Sequence, residues 1–144
     1  MYQRILVPTD GSEITAKAAR QAIDLAKLCG AELVTLSAKE PFPYGAISEM
    51  QPTPPQEFFD AQERIASQRV QSVLQAAAAS GVPCKALTVE ALHPWEAICD
   101  QAKEQGCDLI VMASHGRRGV AALLLGSETQ KVLTHASIPV LVVR

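Results

Sequence analysis

The chain has 144 residues, of which 48% are apolar, and its 13 basic residues against 15 acidic ones leave a net charge of −2. This length is near the commonest size of one domain and can bury a core without disulfide or metal staples. The near balance of charge argues against nucleic acid and anionic membranes as partners. No apolar run reaches the roughly 20 residues that span a bilayer. We therefore expect a single domain over residues 1–144, located in the cytoplasm.

Strand-like and helix-like patterns alternate along the chain. The predicted strands cover residues 4–8, 32–38, 84–89, 108–113 and 138–143, and the predicted helices cover residues 13–29, 57–80, 93–105 and 127–135. Between them, residues 39–56 contain five prolines and predict a long loop. The alternation predicts an α/β fold, a Rossmann-like open, doubly wound parallel sheet of five strands with helices on both faces.

Two predicted strands end in loops that suit a ligand, because open α/β sheets bind ligands at the carboxyl ends of their strands. The first strand runs into Pro8, Thr9 and Asp10, and then into Gly11 and Ser12. The carboxylate of Asp10 is placed to accept hydrogen bonds from a ribose or a base. It could equally cap the first helix together with Ser12.

The loop after the fourth strand has the chemistry of a phosphate site. Gly116 and Gly119 allow backbone N–H groups to approach an anion, and Arg117 and Arg118 supply positive charge. Ser127 adds a hydroxyl at a helix N-terminus, where free N–H groups and the helix dipole favour an anion. A solvated loop charge is the alternative for Arg118.

Other nucleotide and hydrolase signatures are missing from the sequence. It contains no Walker G-x-x-x-x-G-K-[ST] motif, no G-x-G-x-x-G after the first strand and no G-x-S-x-G elbow. A response-regulator receiver would need an acidic cluster, and Asp10 stands alone. The four cysteines form no C-x-x-C pair and no zinc-ligand spacing.

The remaining pattern resembles the universal stress protein family over nearly the whole chain. The resemblance lies in R-I-L-V-P-T-D-G-S from Arg4, A-E-L-V-T-L-S-A from Ala31, D-L-I-V-M-A-S-H-G-R from Asp108, L-L-G-S from Leu124 and the terminal I-P-V-L-V-V. The ATP-binding branch of that family carries G-x-x-G, nine residues, then G-[ST]. Here Gly116, Gly126 and Ser127 match, and Ala113 replaces the first glycine. An alanine is tolerable there if its φ is negative and damaging if φ is positive.

The resemblance implies a regulator of the stress response with an adenine nucleotide alpha hydrolase-like fold that binds ATP, ADP or AMP. The implied nucleotide-binding residues are Pro8, Thr9, Asp10, Ala38, Met112, Ala113, Ser114, His115, Gly116, Arg117, Arg118, Gly119, Gly126, Ser127, Glu128 and Thr129. Mg²⁺ would be carried by the phosphates, and an unidentified protein partner would receive the signal.

The resemblance also implies a homodimer through the last strand, from Ile138 to Val143, which would cover an apolar sheet edge. Two other functions stay open. One is a slow ATPase or nucleotidyl-transfer enzyme, for which His115 and Ser127 are the candidate groups, although His115 without a neighbouring carboxylate more often packs or faces solvent. The other is a dimeric interaction module that no longer binds nucleotide. Ala113 is a change in that direction, because it replaces the first glycine of the nucleotide-binding motif.

Overall fold

Helices and strands alternate throughout the computed structural model of the chain, which describes residues 1–43, 55–117 and 125–144. The strands are β1 (Arg4–Pro8), β2 (Glu32–Lys39), β3 (Cys84–Glu90), β4 (Leu109–Ala113) and β5 (Val140–Val143). The helices are α1 (Glu13–Cys29), α2 (Gln56–Ala79), α3 (Pro94–Glu104) and α4 (Ser127–His135). Each predicted element is present, which confirms the α/β class.

The five strands form one parallel sheet in the order β3-β2-β1-β4-β5. From β1, the strands β2 and β3 are added in turn toward one edge of the sheet. The chain then crosses back, and β4 and β5 are added on the other side of β1 toward the opposite edge. The order therefore reverses between β1 and β4, which are neighbours. At such a reversal the loops leave the strand ends toward opposite faces of the sheet and open a crevice between them.

Each strand contributes side chains to two separate core layers because successive residues of a strand point to opposite faces. In β1, Ile5 and Val7 join the layer under α1 and α2, whereas Leu6 joins the layer under α3 and α4. In β4, Val111 and Ile110 divide in the same way. Helices cover both faces of the sheet, as the alternation of strands and helices predicted. No helix in the described part of the chain is long and apolar enough to cross a bilayer.

The last strand is shorter than predicted. We expected it from Ile138, but β5 begins at Val140. Pro139 has no N–H to donate to a ladder, although its carbonyl accepts a hydrogen bond of 3.0 Å from the N–H of Ile110. Pro139 thus lies at the entrance to the strand.

The other boundaries move by one residue. β2 and β3 each gain a residue because Lys39 and Glu90 pair in register. The predicted helix ends Ser80, His93 and Gln105 are cap residues outside the helices. Two further shifts are the start of α2 at Gln56 and the start of β4 at Leu109 rather than Asp108. Residues 44–54 of the predicted long loop lie outside the described residues.

Truncation of Ile110 tests the packing of the layer under α3 and α4. Ile110 is fully buried in β4, so replacing it with alanine removes apolar contacts and leaves a cavity. We expect Ile110→Ala to lower the free energy of unfolding by about 2–5 kcal/mol, measured by urea denaturation at fixed protein concentration. Leu28→Ala is the control, since Leu28 is 85% exposed and should change stability by less than about 0.5 kcal/mol. Equal effects of the two variants would contradict this core assignment.

Candidate functional site

The carboxylate of Asp10 joins the two loops that leave β1 and β4. Its Oδ1 accepts hydrogen bonds from the N–H of Ser12 at 2.9 Å and from the hydroxyl of Thr15 at 3.1 Å. Its Oδ2 accepts one from the N–H of Arg117 at 2.6 Å. The first two bonds order the turn that leads into α1, but neither caps the helix, because its N-cap Ser12 has no side-chain cap hydrogen bond. The third fixes the distance between the loops.

These hydrogen bonds determine the charge state of Asp10. Partial burial raises the pKa of the Asp10 carboxyl, but hydrogen bonds from Ser12, the N–H of Arg117 and the hydroxyl of Thr15 together outweigh burial and hold that pKa below its ordinary value. The carboxylate therefore stays ionised. A carboxylate offers about four lone-pair sites, so acceptor capacity remains beyond the three bonded donors.

Gly116 lets the second loop pass close to Asp10. A Cβ built on Gly116 would lie 2.6 Å from Oδ2 of Asp10, a distance that real Cβ contacts do not reach. The glycine predicted for a phosphate loop is thus also needed for the contact between the two loops. The exposed Arg117 follows it directly.

The N-terminus of α4 packs against the same loop. Gly126, the N-cap of α4, donates its N–H to the carbonyl of Ser114 at 2.7 Å. A Cβ on Gly126 would come within 3.2 Å of the Cα of His115, so a side chain here would push the helix away from the loop. One turn later the buried hydroxyl of Thr129 donates to the carbonyl of Ala113 at 2.9 Å.

The first turn of α4 has backbone N–H groups with no acceptor inside the helix. The N–H groups of Ser127, Glu128 and Thr129 have no carbonyl four residues earlier in the helix to bind. The helix dipole also makes this end positive. Ser127 is exposed there with its hydroxyl. The arrangement favours an anionic ligand.

Ala113, the position where the motif departs from glycine, has an ordinary strand conformation. It is the last residue of β4, and no residue other than glycine has a positive φ in the described part of the chain. Its side chain is 5% exposed and packs in the layer under α1 and α2. The extra methyl group is therefore accommodated by the core without backbone strain.

Four other predicted residues lie at the same edge of the sheet. Pro8 ends β1, and the buried Thr9 donates its N–H to the carbonyl of Leu36 at 2.8 Å. Ala38 is half-buried near the end of β2. Met112 is buried in the layer under α3 and α4, so its side chain is chiefly part of the core.

Four further predicted residues remain, and they differ in what the structure says of them. The carboxylate of Glu128 accepts the N–H of Trp95 at 2.8 Å, so its side chain caps the start of α3, and its backbone N–H is what it can offer a phosphate. Arg118 and Gly119 lie outside the described residues. His115 is half-buried, with Nδ1 3.2 Å from the hydroxyl of Ser114.

Two residues near the loops were missed by the sequence reasoning. Thr15 binds Asp10, and its spacing of three residues from Ser12 at a helix start is a signal that could have identified it. Arg69 on α2 lies against Gly11. Nothing local in the sequence indicates this contact, because it depends on how α2 packs.

Comparison with known proteins agrees with the fold and with the family that the sequence resembles. The model of the universal stress protein family matches residues 1–144. A Thermus aquaticus protein, the universal stress protein in the QAH/OAS sulfhydrylase 3′ region, is 36% identical over 145 residues and covers all of both chains. The chain belongs to the universal stress protein family.

Solved structures of this family share the architecture. UspA from Lactobacillus plantarum matches with a TM-score of 0.85 at 28% identity, over 99% of this chain and 98% of that one. A universal stress protein in complex with cAMP matches with a TM-score of 0.74 at 25% identity, over 99% of this chain and 97% of that one. A structural relative in the family thus binds a nucleotide.

The hydrogen bonds of Asp10 predict how stability depends on pH. The pKa of Asp10 is lower in the folded chain than in the unfolded one, so its stabilisation is complete above the unfolded pKa of about 4 and is lost as pH falls through the folded pKa. We expect wild type to be more stable than Asp10→Asn at about pH 7, and the gap to narrow as the pH falls toward about 3. Urea unfolding across this range measures the gap, and a gap that does not vary with pH would contradict the assignment.

Proposed function

We propose that this member of the universal stress protein family binds an adenine nucleotide, ATP above all, at the carboxyl ends of β1 and β4, and acts as a cytoplasmic regulator of the stress response through a protein partner. The observation that carries the proposal is the 2.6 Å hydrogen bond from the N–H of Arg117 to Asp10. It brings the phosphate-type loop beside the loop of β1.

The groups around this bond divide into a polar side and an anion-binding side. Asp10 retains acceptor capacity for the hydroxyl groups of a ribose. The backbone at Gly116, the guanidinium of Arg117 and the first turn of α4, from Ser127, supply donors and positive charge for phosphates. A nucleotide combines both kinds of group in one molecule.

Two observations argue against the alternative that this protein no longer binds a nucleotide. Ala113 has a negative φ and places its methyl group in the core, so the loop that follows keeps an unstrained path. The match to a relative in complex with cAMP supports an adenine nucleotide as the ligand class.

A magnesium ion would have to arrive with the phosphates. The described residues contain no group of three or more His, Cys, Asp or Glu side chains that could hold a metal. Such an ion would neutralise phosphate charge and share the oxygen ligands of the nucleotide.

Calorimetric titration with ATP, ADP and AMP tests the proposal. We expect wild type to bind ATP, and Ser127→Ala to weaken ATP binding by about tenfold, the value of a hydrogen bond to a charged group. Ser72→Ala is the matched control, because Ser72 is an exposed serine on α2 whose hydroxyl bonds its own helix. Wild type that binds none of the three nucleotides at high micromolar concentration would refute the proposal.

We also propose that two copies pair through β5. This strand lies at an edge of the sheet. Leu141 within it is 42% exposed, and Leu133 on the neighbouring α4 is 43% exposed. An apolar edge strand left unpaired is a template for aggregation, and pairing with a second copy about a two-fold axis would cover it.

A charge placed on this edge tests the pairing. We expect wild type to have twice the chain mass in light scattering coupled to size exclusion, and Leu141→Glu to shift the mass to that of one chain, because the pairing would bury two carboxylates without partners. Leu28→Glu, on the exposed side of α1, should leave the mass unchanged. A monomeric wild type, or a dimeric Leu141→Glu, would show that β5 is not the interface.

A further inference from the structure

Arg69 of α2 extends across the loop that follows β1. Gly11 in that loop has a φ of +82°, and a Cβ built on it would lie 3.2 Å from Cγ, 3.4 Å from Nε and 3.6 Å from Cδ of Arg69. The side chain therefore rests on the backbone of Gly11, one residue after Asp10. A larger residue at position 11 would displace it, and would also be strained at this φ.

The guanidinium lies within the electrostatic field of the proposed site. Partial burial lowers the pKa of Arg69, and the positive charge of Arg117 lowers it further. The carboxylates of Asp10 and Glu40 act on that pKa in the opposite direction. Two arginines from separate elements, α2 and the loop after β4, thus lie close enough to repel each other beside Asp10.

The guanidinium of the half-buried Arg69 is not used by the described residues. The described residues form no hydrogen bond with the Arg69 guanidinium and no ion pair within 4 Å of it. The carboxylates of Asp10 and Glu40 are nevertheless close enough to raise its pKa. The carboxylate of Asp10 accepts its hydrogen bonds from Ser12, Thr15 and Arg117 instead. Arg69 therefore keeps its five N–H donors in a fork that suits a phosphate.

A purely structural role for Arg69 would be to pack its methylene groups on Gly11 and keep its charge in water, as long basic side chains often do. That role does not account for a partly buried charge that lies near enough to a second arginine for the two to repel. An anion between the two would relieve the repulsion and satisfy both guanidinium groups.

We propose that Arg69 is a phosphate-binding residue of this site, supplied by α2 from outside the glycine motif, and that with Arg117 it makes the site favour nucleotides with more phosphates. The inference rests on the proposed function, because it assigns the ligand of the same site. Each added phosphoryl group brings negative charge and acceptor oxygens, so affinity should rise from AMP to ADP to ATP.

Calorimetry on Arg69→Met separates charge from packing, since methionine can still cover Gly11 but carries no charge. We expect this variant to weaken ATP binding by about tenfold or more and to change adenosine binding by less than about twofold, and we expect Arg69→Lys to recover part of the ATP affinity. Arg64→Met, an exposed arginine of α2, is the matched control and should bind ATP as wild type does. Circular dichroism confirms that each variant is folded.

The salt dependence of ATP binding gives a second readout, since loss of a phosphate contact should flatten the dependence in Arg69→Met. Unchanged ATP affinity, or an equal loss for ATP and adenosine, would overturn the inference while leaving the proposed function intact. If wild type binds no nucleotide, the proposed function fails, and thermal shift with tripolyphosphate decides the inference. A rise in Tm that Arg69→Met abolishes would support an anion site at Arg69, and the absence of such a rise would overturn it.

Discussion

The carboxylate of Asp10 holds together two loops that lie 107 residues apart in the chain but follow neighbouring strands of the sheet. Without such a bond the loops of β1 and β4 would diverge, because the strand order reverses between them and sends their helices to opposite faces. The bond also explains why the second loop needs a glycine beside Asp10, since the backbone could not otherwise approach the carboxylate. A contact within the protein thus sets the spacing of the two loops at the candidate site.

The loop after β4 is held from its other end by α4. Gly126 and Thr129 bond the carbonyls of Ser114 and Ala113, and Glu128 reaches to the N–H of Trp95 on α3. The ring of Trp95 in turn stacks on that of His135 at 4.3 Å, near the other end of α4. A helix of nine residues is therefore fixed at both ends, and its first turn is presented to the crevice in a defined orientation.

The order of strands and helices could be predicted from the sequence because short strand-like segments rich in apolar residues alternate with longer helix-like segments that end at glycine or proline. The carboxyl-edge loops could also be located, since parallel strands place their ends together. The start of β5 was misplaced because Pro139 contributes its carbonyl but no N–H to the sheet. Arg69 could not have been found, because its place beside Gly11 depends on the packing of α2 and on no nearby sequence pattern. The hydrogen bond from the N–H of Trp95 to the carboxylate of Glu128 likewise depends on tertiary packing.

At position 113 the sequence motif requires glycine, but the structure does not. At this position the chain is still a regular strand, its φ is one that any residue adopts, and its side chain faces the hydrophobic interior. A search that demands glycine here would pass over this chain, although among the motif positions it is Gly116 and Gly126 where a Cβ would be crowded, at 2.6 Å and 3.2 Å from the nearest atom. Backbone conformation and the direction of Cβ are better criteria than residue identity for deciding which positions of such a loop can vary.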